Sequence, residues 1–215
     1  MIDHSLLHPS LTTEELEKGC AEAMKYQFAA VVVNPSHIPV VARNLQGSPV
    51  KVCSVISFPF GLSPPEVKAH EAKVVIGEGA REIDMVMNFS ALRSGHLDNV
   101  QNDIRAVVRE AKRFSRDIIV KVILENCYLT EKQKRQACTL AAKAGADYVK
   151  TSTGFGKSGA TVEDVRLMRE TVGKELSVKA AGGIRTLDQA LAMIEAGANR
   201  IGTSASVSII EALKS

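Results

Sequence analysis

The sequence has no tryptophan, and aromatic residues make up only 4% of its 215 positions. Its formal charge of +3 comes from 27 basic and 24 acidic residues, so it carries no broad basic field. We therefore expect neither nucleic acid nor a membrane as a partner. No apolar run reaches 18 residues and the chain does not open with a basic segment, so the expected location is the cytoplasm.

Paired cysteines and metal-ligand spacings are missing as well. The four cysteines contain no C-x-x-C pair, and the five histidines show no H-E-x-x-H spacing. We therefore expect reduced thiols without a disulfide framework, and no metal site. Cys53 lies in an apolar run, where its thiol is expected to behave as a small hydrophobe.

What the sequence does contain is a regular alternation of β-rich and amphipathic helical segments, over a length that suits one domain, residues 1–215. Most of the seven clear strand candidates are rich in Val and Ile, which is typical of parallel strands covered on both faces. These candidates are Ala29–Asn34, Val50–Ser57, Glu82–Asn88, Ile118–Glu125, Asp147–Ser152, Leu176–Ala181 and Asn199–Ser204. Ile2–Leu7 is a candidate eighth strand. The pattern favours an α/β fold of the (β/α)8 TIM-barrel type, with an open doubly wound sheet as the alternative.

Local signals predict where the helices begin and end. A hydroxyl residue followed three positions later by an acid or Gln is typical of a helix start. This pattern begins at Thr12, Ser63, Thr130, Thr161 and Thr186, and Pro64 is expected at a first helical position. Gly79, Gly145 and Gly197 each precede a strand and are predicted to end a helix in the left-handed conformation.

Four ionisable residues interrupt these apolar strands: Asp84, Lys121, Lys150 and Lys179. One such side chain alone could point outward past a helix, but four in four central strands favour the lumen of a barrel. Burial and a neighbouring cation both disfavour the ammonium form of a lysine, and the neutral amine can form a Schiff base with a carbonyl. A carboxylate beside it can relay protons. The combination indicates class I aldolase chemistry and leaves the substrate open.

Glycine-rich loops follow the last two strand candidates. Ala181-Gly182-Gly183-Ile184 and Gly202-Thr203-Ser204 each precede a predicted helix, where backbone N–H groups can bind a phosphate. A third segment, residues 154–159, formally matches G-x-G-x-x-G. Because the next helix is predicted to start only at Thr161, we interpret this segment as a flexible loop over the active face and not as a dinucleotide site.

Six segments spread over nearly the whole chain resemble the deoxyribose-phosphate aldolase family. They are Ile2–Leu7, Glu82–Asn88, Val120–Glu125, Val149–Phe155, Val178–Arg185 and Arg200–Ser204. The resemblance implies a cofactor-independent barrel lyase, commonly a homodimer or larger oligomer. Such an enzyme interconverts 2-deoxy-D-ribose 5-phosphate with D-glyceraldehyde 3-phosphate and acetaldehyde.

The resemblance also implies roles for individual residues. Lys150 would be the Schiff-base nucleophile, Lys179 the neighbour that lowers its pKa, and Asp84 the proton relay. Asp3 and Lys121 would complete the polar network near the sugar hydroxyls. The phosphate end would be lined by Thr153, Gly182, Gly183, Gly202 and Ser204.

The chain departs from the family pattern at several points. Val32 stands where many relatives have Cys, Ala205 replaces a second Ser, and the sequence ends without a tail that carries a catalytic Tyr. It also lacks the N-terminal helix common in relatives. Two alternative functions stay open from the sequence: a different Schiff-base aldolase or transaldolase, and a non-catalytic barrel that binds a sugar phosphate.

Overall fold

A computed structural model describes residues 1–214, in which eight parallel strands close into a barrel in sequential order. The strands are β1 Ile2–Leu6, β2 Ala30–Val33, β3 Lys51–Ile56, β4 Glu82–Val86, β5 Ile119–Ile123, β6 Tyr148–Lys150, β7 Ser177–Ala181 and β8 Arg200–Thr203. The helices are α1 Thr13–Lys25, α2 Ile38–Asn44, α3 Pro65–Gly77, α4 Phe89–Arg93, α5 Leu97–Phe114, α6 Glu131–Lys143, α7 Val162–Val172, α8 Leu187–Glu195 and α9 Ser206–Ala212. Short 3-10 turns lie at Pro35–His37 and Asn126–Tyr128.

The predicted barrel is confirmed, and the open doubly wound sheet is wrong because β1 pairs with both β2 and β8. All seven clear strand candidates and the short eighth one form strands, each shorter than predicted. β6 is the shortest strand, with only three residues. Thr151, just beyond it, exchanges hydrogen bonds through its hydroxyl with the backbone N–H and C=O of Ala181, both at 3.0 Å.

Helix starts follow the predicted hydroxyl residues in four of five cases. Thr12, Thr130 and Thr186 each form a complete capping box, in which the side chain at the third helical position bonds back to the cap. Thr161 accepts the backbone N–H of Asp164 without the return bond. These caps satisfy backbone donors that would otherwise have no partner in the first helical turn.

The prediction at Ser63 and Pro64 is wrong. Helix α3 begins one residue later, at Pro65, and Pro64 is its N-cap. Pro64 has an extended backbone, with φ −55° and ψ 151°, because the residue before a proline is kept out of the helical region. Two consecutive prolines therefore shift the start of the helix by one position, and no side chain caps it.

Left-handed glycines end three helices as predicted. Gly79, Gly145 and Gly197 have φ of +123°, +85° and +110°. At Gly197 space is also short, since an added Cβ would lie 2.7 Å from Cγ of Arg169. Arg169 donates to the Gly197 carbonyl at 3.1 Å, so this turn is fixed to α7.

Most of the apolar core lies between the barrel wall and the helices, and a second, small cluster lies inside the barrel. The inner cluster consists of Ala30 and Val32 from β2 with Cys53 and Val55 from β3. The remaining strands place charged groups in the same lumen, as described below. One side of the lumen is therefore apolar and the other ionic, which confines the reactive groups to one part of the barrel.

A buried ion pair supports β4 from outside the barrel. Nζ of Lys68 on α3 lies 2.7 Å from Oδ2 of Asp103 on α5 and 2.8 Å from the carbonyl oxygen of Val86. The same carboxylate oxygen accepts the backbone N–H of Asn88 at 3.0 Å. Both ends of the pair are thus tied to the carboxyl end of β4.

None of the helices within residues 1–214 has the length and apolarity needed to cross a membrane.

Candidate active site

The carboxylate of Asp84 lies at the centre of a buried ionic cluster. Lys150 Nζ and Lys179 Nζ each lie 2.7 Å from Oδ2 of Asp84, and Lys121 Nζ lies 2.8 Å from Oδ1. The strand register brings them together, because Asp84 is aligned with Lys121, and Lys150 with Lys179, across neighbouring parallel strands. Aligned residues point to the same face of a sheet. The four ionisable residues that interrupt the apolar strands therefore meet in the lumen.

The cluster extends to Asp3, Glu82 and Arg200. Lys179 and Arg200 both donate to Asp3, with Arg200 Nη1 2.6 Å from Oδ1. Glu82 Oε2 lies 2.5 Å from Lys121 Nζ and 3.4 Å from Arg200 Nη1. Sequence reasoning included Asp3 and missed Glu82 and Arg200. Glu82 precedes Asp84 by two positions, so the period of a strand places both on one face and could have identified it.

Counting formal charges shows why Lys150 differs from its neighbours. Three carboxylates, those of Asp3, Glu82 and Asp84, face three cations other than Lys150. The cations Lys121, Lys179 and Arg200 neutralise these carboxylates without Lys150. Because an uncompensated charge is costly in a buried site, the nitrogen with no carboxylate left to neutralise is the one that loses its proton most easily.

The pKa shifts follow this arrangement. Burial lowers the pKa of Lys150 below its usual value, and the charge of Lys179 lowers it further, against the opposing effect of Asp84. Burial also lowers the pKa of Lys179, but Asp3 and Asp84 together outweigh it, so that pKa is raised. The pKa of Lys121 is likewise raised, because Asp84 and the neighbouring groups outweigh burial. Lys150 is therefore the lysine of the cluster that gives up its proton most easily, and it does so beside two nitrogens that hold theirs.

The carboxylates of Asp84 and Asp3 stay ionised. Burial raises the pKa of Asp84, but Lys121, Lys150 and Lys179 outweigh it and hold the pKa well below its usual value. Burial acts in the same way on Asp3, where Lys179, Lys121 and Arg200 prevail and lower the pKa to about 2. Asp84 is thus a proton acceptor in the resting state.

Cys53 belongs to this cluster as well as to the apolar inner one, which its sequence context did not indicate. Its Sγ lies 3.2 Å from Oδ1 of Asp84 and 3.4 Å from Nζ of Lys121. Burial and the charge of Asp84 raise the pKa of this thiol. Cys53 is therefore a neutral thiol that donates to Asp84, and not only a small hydrophobe. All four cysteines are free thiols.

A cavity of about 380 Å³ opens above the cluster, at the carboxyl ends of β6, β7 and β8. Lys150 lines it, whereas Asp3 and Lys121 lie within the ionic cluster and not on its wall. All five residues expected at a phosphate end line the same cavity: Thr153, Gly182, Gly183, Gly202 and Ser204. Arg185 adds a positive charge to the wall.

The phosphate end of this cavity offers backbone donors. Within residues 1–214 no hydrogen bond engages the N–H groups of Gly183 and Ser204, and both residues are exposed. Gly183 has φ +78°, a conformation that suits glycine, and it precedes the start of α8. Ala205 is the N-cap of α9 and has no side chain to accept or donate a hydrogen bond there. The replacement of Ser by Ala thus falls at a helix start beside the cavity.

The loop from Gly154 to Gly159 covers one side of the cavity. Gly154 and Phe155 line it, and Phe155 packs edge-on against Phe58 with ring centroids 5.3 Å apart. Helix α7 starts after its cap at Thr161, so this loop does not open a helix and is not a dinucleotide motif. Gly159 packs directly on Gly182, since a Cβ at Gly159 would lie 2.1 Å from the Gly182 carbonyl oxygen.

Glu125 is a further buried acid beside the cavity that sequence reasoning missed. It follows β5 and accepts hydrogen bonds from the backbone and the hydroxyl of Thr153. Burial raises the pKa of its carboxyl, and the Thr153 donors and the charge of Lys150 oppose that shift only in part.

Within residues 1–214, no three His, Cys, Asp or Glu side chains are grouped as ligands for a metal ion.

Taken together, these groups can perform one kind of chemistry on their own. A neutral amine at the floor of a cavity can add to an aldehyde or ketone and form an imine. A carboxylate and two ammonium groups next to it can accept and return protons. Backbone N–H groups at the other end can hold an anionic group of the same substrate.

Comparison with known proteins gives matches over almost the whole chain. The model of the DeoC/LacD family of aldolases matches residues 1–209. A deoxyribose-phosphate aldolase from Thermococcus gammatolerans is 57% identical over 212 residues, which cover 98% of this chain and 93% of the relative. One from Thermoanaerobacter sp. (strain X514) is 54% identical over 211 residues, 98% of this chain and 94% of the relative. A solved deoxyribose phosphate aldolase from Aeropyrum pernix, described as tetrameric, superimposes with a TM-score of 0.93 at 36% identity, covering 100% and 89% of the two chains.

Proposed function

The chain belongs to the DeoC/LacD family of aldolases and is therefore a carbon–carbon lyase, and we propose that it cleaves 2-deoxy-D-ribose 5-phosphate to D-glyceraldehyde 3-phosphate and acetaldehyde. The observation that carries the proposal is the placement of Lys150. Its nitrogen lies at the floor of the cavity, touches Asp84, and has its pKa lowered by burial and by Lys179. The reaction is reversible, so the same site also condenses the two aldehydes.

The reaction begins at Lys150. Its neutral Nζ adds to the aldehyde carbon of the open-chain sugar, and the carbinolamine that forms loses water to give a protonated imine. Lys179 stays charged beside it and keeps the free amine populated before each turnover. The imine then carries the positive charge that Lys150 lacks in the resting cluster.

Bond cleavage follows at the carbon next to the imine. A base removes the proton of the C3 hydroxyl, the C2–C3 bond breaks, and its electron pair moves toward the imine nitrogen to give an enamine. C3 becomes the aldehyde carbon of D-glyceraldehyde 3-phosphate. Asp84 is the proposed proton relay, directly or through water, because its carboxylate is ionised and touches Lys150. Protonation of the enamine and hydrolysis release acetaldehyde and restore Lys150.

The remaining site residues bind and organise. Gly182, Gly183, Gly202 and Ser204 line the far end of the cavity and are proposed to surround the phosphate. Asp3 and Lys121 are proposed to support the reacting groups from within the ionic cluster, because both are fully buried there. Their role therefore concerns the charge state of the cluster more than direct contact with sugar hydroxyls.

An assay with alternative donors tests this assignment. Purified protein is given D-glyceraldehyde 3-phosphate with either acetaldehyde or dihydroxyacetone, and the condensed products are identified by mass spectrometry. We expect 2-deoxyribose 5-phosphate from acetaldehyde, and no such reaction with Lys150→Met. Exclusive use of dihydroxyacetone would instead identify a different Schiff-base aldolase. Family membership disfavours the alternative of a non-catalytic sugar-phosphate-binding barrel.

We further propose that the protein forms a homo-oligomer. Phe60 and Leu62, next to α3, and Val67 and Val74 on that helix are exposed, with Phe60 68% accessible. Such an apolar face is typical of a surface that binds another protein. Light scattering after size exclusion should show more than one chain per particle, and Phe60→Ser should shift it toward one chain.

The free thiols suit a reducing compartment, so the proposed location is the cytoplasm.

A further inference from the structure

The hydroxyl group of Thr153 is fully engaged within the protein. It donates its only proton to Oε2 of Glu125 and accepts the backbone N–H of Phe155 at 2.9 Å. The backbone N–H of Thr153 also points to the two carboxylate oxygens of Glu125, at 3.3 and 3.4 Å. A hydroxyl has one proton to donate, so Thr153 has none left for a substrate phosphate while Glu125 holds it.

Glu125 is itself held in an unusual conformation. Its backbone has φ +55°, in the left-handed region that a non-glycine residue seldom adopts. Hydrogen bonds on both sides of Glu125 fix it to the end of β6 and to the residue that follows. Leu124 N–H donates to the Lys150 carbonyl at 2.9 Å, and Asn126 N–H donates to the Thr151 carbonyl at 3.0 Å. Strained residues of this kind persist where the surroundings determine them and cluster at functional sites.

The loop that lines the cavity closes directly onto this carboxyl group. A Cβ added at Gly156 would lie 2.8 Å from Sγ of Cys127 and 3.1 Å from Cδ of Glu125. Gly156 therefore leaves just enough space for the loop to pass over Glu125. Between Thr153 and Gly156, Gly154 and Phe155 line the cavity. Gly154 also packs against Gly182 of the phosphate end, since a Cβ added at Gly182 would lie 3.4 Å from Cα of Gly154.

We infer that Glu125 is a positioning residue for the phosphate end of the cavity. It acts through Thr153, whose hydroxyl fixes the wall formed by Gly154 and Phe155 and does not donate to the phosphate. This changes the role expected for Thr153 from a phosphate ligand to a link between Glu125 and the loop. The inference rests on the proposed function, because only a phosphorylated substrate needs that end of the cavity.

Hydrogen exchange tests the link without any substrate. In Glu125→Gln the Thr153 and Phe155 amides should exchange about tenfold faster, since a neutral amide side chain replaces a charged acceptor. The matched control is Glu131→Gln, which removes an exposed carboxylate at the start of α6. The inference would be overturned if the exchange rates of these two amides were the same in Glu125→Gln as in the control.

Kinetics test the effect on substrate. Retro-aldol rates are measured with 2-deoxyribose 5-phosphate and with 2-deoxyribose, which has no phosphate, for Glu125→Gln, Thr153→Val and the double variant. We expect kcat/KM for the phosphorylated substrate to fall about tenfold, mostly through KM, and to fall several times less for 2-deoxyribose. The double variant should lose no more than the worse single variant, because both break the same link.

Other outcomes decide against the inference. Equal losses with both substrates would indicate a general structural role for Glu125. A loss from Thr153→Val that keeps its full size in the Glu125→Gln background would identify Thr153 as a phosphate donor in its own right. If Glu125→Gln does not fold, Thr153→Val still breaks the link. In that variant the exchange rate of the Phe155 amide and the comparison of the two substrates test the inference. If the unmodified protein fails to cleave the sugar phosphate, the proposed function fails, whereas hydrogen exchange still decides whether Glu125 orders the loop.

Discussion

Replacing Lys179 by methionine should convert Lys150 from a free amine into an ammonium group at neutral pH. The three carboxylates of the cluster would then face only two fixed cations, Lys121 and Arg200. Asp84 would lose one of its two partners at Oδ2 and keep Lys150 as the other. Methionine matches the length of most of the lysine side chain, so the main change is the loss of charge.

The size of the effect follows from the geometry. Both lysine nitrogens lie 2.7 Å from the same carboxylate oxygen, so the two charges are separated by roughly 5 Å or less. At an effective dielectric constant of about 20, their repulsion is about 3 kcal/mol, which corresponds to roughly two units in the pKa of Lys150. The fraction of free amine at pH 7, and with it the rate of imine formation, should therefore fall by up to about a hundredfold.

The assay is the rate of imine formation with acetaldehyde, measured from pH 6 to pH 10. In Lys179→Met the midpoint of the profile should move about two units toward alkaline pH, and the rate should recover above it. The control is Lys174→Met, which removes an exposed charge before β7 and should leave the midpoint in place. A Lys179→Met profile with an unchanged midpoint and a lower plateau would refute the assigned effect on the pKa.

Three further outcomes are expected. The folded-state pKa of Asp3 is about 2, below its usual 3.8, so the unfolded chain binds the proton first as pH falls. Urea unfolding should therefore show the free energy of unfolding fall by about 2 kcal/mol between about pH 4 and pH 2. A flat profile over that range would contradict the assignment. Ala205→Ser adds a hydroxyl beside the phosphate end and should lower KM for 2-deoxyribose 5-phosphate roughly threefold; an unchanged KM would show that the position does not reach the substrate. Lys68→Met leaves Asp103 as an unpaired buried charge and should lower the free energy of unfolding by about 3–5 kcal/mol, whereas a loss below about 1 kcal/mol would mean that the pair contributes little.

The sequence predicted the barrel because its strands are apolar on both faces. Covered parallel strands such as Ala30–Val33 need Val and Ile on the lumen side and on the helix side alike, and that pattern is visible without a structure. Strand ends were less predictable. At β6 the hydrogen bonds of Thr151 with Ala181 depend on the neighbouring strand, which local periodicity does not describe.

The site was predictable where a charged residue stood among apolar ones. Either Lys150 or Lys179 alone could have pointed outward past a helix, but four ionisable residues in four apolar strands favoured the lumen. The structure places both lysines on Asp84. Arg200 and Glu82 begin their strands, where charged residues are common, so they carried no signal on their own. Glu125 lies just after a strand, and its contact with Thr153 depends on the stagger between β5 and β6.

Trapping with borohydride in the presence of acetaldehyde, followed by peptide mapping, tests the central claim most directly. Reduction freezes any imine as a stable two-carbon group on the nitrogen that formed it. The cluster predicts one such group at neutral pH, on the peptide that contains Lys150, and none in Lys150→Met. A group found on Lys179 or Lys121 instead, or no group on any lysine, would contradict the assignment of Lys150 as the free amine of the barrel.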